Sequence, residues 1–262
     1  MYKIPFLPLQ QNLETKDILK KLTHAHRALA ELKGVSLIIP NQSILINTLA
    51  LKEAKDSSAI ENIIISDDEL YKSDCSNKYF ATRGVKEVYN YVAALKHGYS
   101  RVKTYGLLTN SHILEIQATI EENTAGFRSL PGTLLKNDHS GEVIYTPPQC
   151  AKEITDLMDN LEKYINENTE NDFDPLTKMA IIHHQFESIH PFYDGNGRTG
   201  RIINVLYLLK NDLLDTPVLY LSRYINENKN EYYRLLQEVR VQKGAWNEWI
   251  LFILEAVIQT SY

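Results

Sequence analysis

The chain has 262 residues, 44% hydrophobic and 23% charged, the balance of a soluble globular protein with enough length to bury a sizeable core. With 28 Lys and Arg against 33 Asp and Glu it carries a net charge of -5, and its basic residues are scattered, which argues against nucleic acid or an acidic membrane as partner. Cys75 and Cys150 allow at most one disulfide, MYKIPFLPLQ lacks the apolar centre of a secretory signal, and no apolar run could span a bilayer, so the expected compartment is the cytoplasm.

Leu19, Leu22, Ala25, Leu29 and Leu32 recur at spacings of three or four and predict a helix over 14–33, with Gly34 as its stop. A second helix is expected over 41–61, behind Pro40 and capped by Asn41. Helical periodicity returns at 79–97, 109–123 and 150–167. The stretch 132–148 breaks it. Two short apolar runs flank Asp138-His139-Ser140-Gly141, and Pro147 and Pro148 end the second, which predicts a β-hairpin. Further helices are expected at 174–189, with Asp174 as cap and Pro175 in the first position, and at 198–211, 226–242 and 245–258. The expected class is therefore all-α with one exposed hairpin. Residues 1–75 are read as an N-terminal helical region and 76–262 as the main domain.

The run His190-Pro-Phe-Tyr-Asp194-Gly195-Asn196-Gly197-Arg198-Thr199-Gly200-Arg201 carries the chemistry. Gly195 and Gly197 ahead of a helix let successive N–H groups converge on an anion. Arg198 and Arg201, three apart, can fork onto phosphate oxygens from one side of the first turn. Asp194 beside such a nest would repel bare phosphate, and a Mg²⁺ shared between them resolves the conflict. His190 could take a proton from an attacking hydroxyl. Together these residues suit phosphoryl or nucleotidyl transfer to a hydroxyl. The formal G-x-G-x-x-G over 195–200 follows a helix rather than a strand, so it is not read as a dinucleotide site, and no Lys-Ser or Lys-Thr completes a P-loop. His183, His184 and His190 with Asp194 could suggest zinc or iron. Ligands for such a site ordinarily come from several elements and none is evident, so His183 and His184 are assigned to packing.

Residues 190–201 are similar to the H-P-F-x-D/E-G-N-G-R-x-x-R signature of the Fic (filamentation induced by cAMP) family, with every specified position met. Residues 5–62 resemble that family's N-terminal region, and LSRYINENKNEYYRLLQEVR its usual downstream helix. The resemblance implies a Fic-type helical bundle with a β-hairpin flap, an N-terminal helical lobe, and protein adenylyltransferase activity. It implies that His190 deprotonates a target Tyr, Thr or Ser hydroxyl, which attacks the α-phosphate of ATP. Asp194 would hold Mg²⁺, the run Gly195, Asn196, Gly197, Arg198, Thr199, Gly200 and Arg201 would bind the phosphates, and Asn228 would lie near the base or ribose. The hairpin 134–146 would be the flap on which a target protein aligns as an added strand. A homodimer and self-modification belong to the same expectation.

Ser57-Ser-Ala-Ile-Glu61-Asn62 fits the family's inhibitory pattern S/T-x-x-x-E-G/N on the N-terminal side. Ser57 and Glu61 would share a helix face, and Glu61 could pair with Arg201 in the place of the γ-phosphate. The alternatives are removal of AMP, transfer of phosphate or phosphocholine, or a silent module that keeps ATP as a structural ligand.

Overall fold

The computed structural model describes residues 2–70, 82–136, 140–167, 173–242 and 245–262. Its elements are α1 (Lys16–Ile38), α2 (Gln42–Ile60), α3 (Arg83–Tyr105), α4 (Asn110–Glu121), β1 (Leu135–Lys136), β2 (Val143–Tyr145), α5 (Ala151–Asn166), α6 (Pro175–Ile189), α7 (Asn196–Lys210), α8 (Leu221–Glu227), α9 (Lys229–Val241) and α10 (Trp246–Thr260). The all-α class with one hairpin is what forms.

Local side-chain caps explain half of these helix starts. The side chains of Thr15, Asn41, Thr82, Thr109 and Asp174 each accept a backbone N–H of the first turn they precede. Three expectations are corrected. Gly34 does not stop α1, because it adopts no left-handed conformation there, and the helix runs on to Ile38. The stop is Pro40, which forces Ile39 into extended backbone with ψ 119°. The buried face of α1 also begins at Ile18 rather than Leu19, which is half exposed. The single helix expected over 226–242 is two. A short α8 ends at Asn228 before α9 begins, and its N-terminus is capped from far away, by Glu53 of α2 accepting Ser222 N–H at 2.9 Å.

In the centre lies the antiparallel pair α6 and α7. Every α6 side chain after Pro175 is buried, as is every residue of α7 from Arg198 to Leu209. Helices enclosed on all sides show no amphipathic stripe. Around this pair, α3 packs on α4 and α7, α2 on α3, α7 and α8, and α10 on α1, α6 and α8. One buried cluster runs from Ile4 and Leu22 through Ile182 and Leu206 to Val257. The hairpin pairs Leu135 with Tyr145 and Lys136 with Val143 in antiparallel register. Of its expected turn residues, Asp138 and His139 lie outside the described residues, as does Cys75, while Cys150 is exposed and unbridged. Among the described residues no helix is long and apolar enough to cross a membrane.

Candidate active site

The site is the connection between α6 and α7. His190 caps the end of α6 in the left-handed region (φ 48°, ψ 60°), its N–H reaching Phe186 O at 2.9 Å. Gly195, at φ 77°, is the N-cap of α7, and with no side chain it leaves the helix's first amides uncapped. Such an end draws anions. Asn196 fastens the loop between them: its Oδ1 accepts Phe192 N–H and its Nδ2 donates to Phe192 O, both at 2.8 Å. Its side-chain amide is thereby engaged within the loop. Asp194 points outward with an exposed carboxylate, one oxygen of which accepts Gly195 N–H at 2.8 Å.

Both arginines are buried against carboxylates. Arg201, 1% exposed, donates from Nε to Ser57 Oγ at 2.7 Å and from Nη2 to Ser57 O at 2.8 Å and Glu61 Oε1 at 2.7 Å. Burial works against its charge, but Glu61 and then Tyr232, Tyr91 and Glu187 outweigh it and hold its pKa above the ordinary arginine value, so the group stays cationic. Arg198, 3% exposed, meets four acids: Glu61 at 3.0 Å, Glu87 at 3.1 Å, Glu121 at 2.7 Å and, more distantly, Asp194 at 3.9 Å. The pairing of Glu61 with Arg201 is the contact expected from the pattern, while its second hold on Arg198 is not. Glu61 itself is the C-cap of α2, and its carboxylate lies so close to Gly197 that a Cβ there would collide with it.

Thr199 and Gly200 are buried in the first turns of α7, with Gly200 pressed against Glu187 and Phe186. Asn62, at φ 65°, turns the chain out of α2 and accepts Lys229 Nζ at 2.7 Å. Asn228 sits at the α8–α9 junction with its amide on Tyr224 O, and no hydrogen bond ties it to 190–201. His183 and His184 belong to the aromatic core: His183 bonds Tyr232 Oη at 2.9 Å and stacks on Trp249, and His184 faces Leu236 O and Trp246. Burial holds both below ordinary histidine basicity, His183 at about 3.

His190 is likewise held low, to about 3, by burial first and by the positive charges of Arg128 and Arg240, with the Glu187 backbone opposing. Held so low, its imidazole is neutral at physiological pH. Glu187 is pushed the other way, to about 7, by burial and by Glu61, although Arg201 and Arg240 pull it down. Sequence reasoning missed Glu87, Glu121, Arg128 and Arg240, which reach the site from α3, α4, the segment after α4, and α9. No local spacing marks any of them.

The family comparison agrees with this geometry. Residues 19–100 match the Fic/DOC family N-terminal profile, and residues 107–208 match the Fic/DOC family profile itself. The chain belongs to the Fic/DOC family. A probable protein adenylyltransferase of Aquifex aeolicus (strain VF5) is 28% identical over 202 residues, covering 74% of this Fic chain and 57% of its own length. Protein adenylyltransferase Fic of Drosophila mojavensis is 26% identical over 113 residues, 43% of this chain and 21% of its own. The chain thus spans about a fifth of the length of the fly relatives it matches. Among solved structures, a Fic family protein from Desulfovibrio desulfuricans G20 superposes with a TM-score of 0.76 at 21% identity, over 99% of this chain and 75% of that one. A Fic domain containing signaling protein from Bacteroides thetaiotaomicron VPI-5482 gives 0.72 at 18%, over 91% and 94%. Those two likenesses are of fold.

Proposed function

We propose that this Fic-family chain is a protein adenylyltransferase that moves AMP from ATP to a Tyr, Thr or Ser hydroxyl, and that Glu61 holds it in check. The observation that carries the reading is the Glu61 carboxylate bridging Arg198 and Arg201 at the uncapped start of α7. An acid occupies the place where a nucleotide's outer phosphates would meet both arginines and the helix amides.

In the reaction, the neutral imidazole of His190 accepts the proton of the incoming hydroxyl. The hydroxyl oxygen bonds to the α-phosphorus, and the bond from that phosphorus to pyrophosphate breaks. Arg201, released by Glu61, and the amides of Asn196 and Gly197 stabilise the charge on the phosphates. The exposed Asp194 carboxylate beside those amides fits Mg²⁺, which when bound neutralises phosphate charge. A target would align on the hairpin, whose Val143 and Ile144 are exposed near its edge. Self-modification and pairing of two copies remain part of the proposal.

The test is Glu61→Gly incubated with Mg²⁺ and ATP labelled at the α-phosphate. Self-labelling should rise about tenfold or more, the equivalent of about 1.4 kcal/mol of lost restraint. Unchanged or reduced labelling removes the inhibitory reading. The mass added to the protein separates gain of AMP from gain of phosphate.

A further inference from the structure

The end of α6 has an unusual completeness. From Phe186 to Phe192 every backbone carbonyl has a donor. Phe186 O takes His190 N–H at 2.9 Å, and Glu187 O takes Arg240 Nη2 at 3.2 Å. Ser188 O takes Tyr145 Oη at 2.8 Å. Ile189 O takes Arg128 Nη2 at 3.3 Å and His190 O takes Arg128 Nε at 2.6 Å. Pro191 O takes Arg128 N–H at 2.8 Å, and Phe192 O takes Asn196 Nδ2 at 2.8 Å. Arg128 alone therefore serves three consecutive carbonyls centred on His190. It is 1% exposed, and the chain beyond it holds the same loop again, Ser129 N–H and Leu130 N–H both donating to Tyr193 Oη.

Two physical consequences follow. His190 is a non-glycine residue at φ 48°, a conformation that persists only when its surroundings over-determine it. Fixing the carbonyls before, at and after that residue does so. The open C-terminus of a helix also favours a protonated histidine, because its last carbonyls carry partial negative charge. Here guanidinium groups sit on those carbonyls and answer much of that charge, so the imidazole gains little by protonation beyond what the Glu187 backbone offers. The charged groups acting on the ring are Arg128 and Arg240, both cationic.

We propose that Arg128, which lies outside the signature run, is a positioning residue for His190: it locks the base's backbone conformation and sets a positive charge against protonation of its imidazole. This rests on the transferase reading above for its catalytic part but not for its effect on the ring. The full chain carrying Glu61→Gly serves as parent, with Arg128→Met and Arg128→Lys added singly. The His190 ring is titrated by NMR, its signal assigned by loss in His190→Ala, and kcat and KM for ATP are measured alongside. Arg128→Met should move the ring's midpoint up by about one pH unit. It should cut kcat about tenfold or more while KM for ATP stays within about twofold. Arg128→Lys keeps the charge, so the midpoint should stay. One ammonium cannot fork between two carbonyls, so kcat should recover only in part.

An unmoved midpoint in Arg128→Met, or parent kcat in both variants, overturns the inference. If Arg128→Met does not fold, Arg128→Lys decides, and parent kcat in that variant overturns it. A parent that transfers nothing removes the transferase reading, and the ring titration then decides this one.

Discussion

Glu61 and Arg201 meet at 2.7 Å across the start of α7, with the same carboxylate 3.0 Å from Arg198. The contact sits directly over Gly197. A Cβ built there would collide with Glu61 Oε1 and come within 2.9 Å of Arg201 Nη1. Gly197→Ala should therefore destabilise the protein by about 1–3 kcal/mol when Glu61 is present. In the Glu61→Gly background the cost should shrink, giving a coupling of about 0.5–3 kcal/mol between the two positions. Denaturant melts of the four proteins measure it, and additive effects would show that the carboxylate does not rest on this glycine.

Ser57 shares the hold on Arg201 through its hydroxyl and its carbonyl. Ser57→Ala takes away only the hydroxyl, leaving the fully buried Nε without its acceptor. The expected cost is about 1–3 kcal/mol of stability, read in a thermal or denaturant melt. A neutral substitution would mean that Nε finds another partner and that Ser57 is no part of the restraint.

How far the sequence reaches is seen at this same cluster. Ser57 and Glu61, a turn apart, carried a legible pattern, and so did the loop from His190 to Arg201, because in both the chemistry lies within one turn of chain. The cage around Arg198 was illegible, since Glu87 and Glu121 arrive from α3 and α4 and only tertiary packing sets them beside the guanidinium. Arg128 was hidden for the same reason, 62 residues before the carbonyl it grips most closely. Helix starts were readable where the cap is local, as at Asp174, and unreadable at α8, where the cap is Glu53, 169 residues away. The stop of α1 was misjudged because a glycine ends a helix only when it turns left-handed, whereas a proline constrains its neighbour always.

His190→Ala should lower transfer in the Glu61→Gly background by about 10²–10⁴-fold while ATP still binds. The pH profile adds a sharper check. Burial and two neighbouring arginines hold the imidazole at about 3, so it stays neutral well below the ordinary value of 6.5. Transfer should show no loss centred on 6.5 as pH falls. A limb with that midpoint would mean that the ring is solvated in the working enzyme.

The titration of Glu187 runs opposite to that of the histidines. Its folded pKa, about 7, stands above the 4.5 of an ordinary glutamate, chiefly through burial. Between those values the folded state binds more protons than the unfolded chain, so stability falls as pH rises. The contribution is fully present below 4.5, declines through the interval and is lost above 7. His183 and His190 are depressed from 6.5 to about 3, so between those values the unfolded chain holds the extra protons and stability rises with pH. The two trends overlap in the intact protein, and a single melt cannot separate them. Glu187→Gln can, since it leaves the histidines in place and removes only the carboxyl's titration. Its melting temperature relative to wild type should climb steadily from acid pH to pH about 8, as the wild type loses the protonated acid and the variant loses nothing. A difference that stays constant with pH would mean that the Glu187 carboxyl titrates alike in the folded and unfolded chain, as a solvated group does, and would remove the buried acid from beneath Gly200.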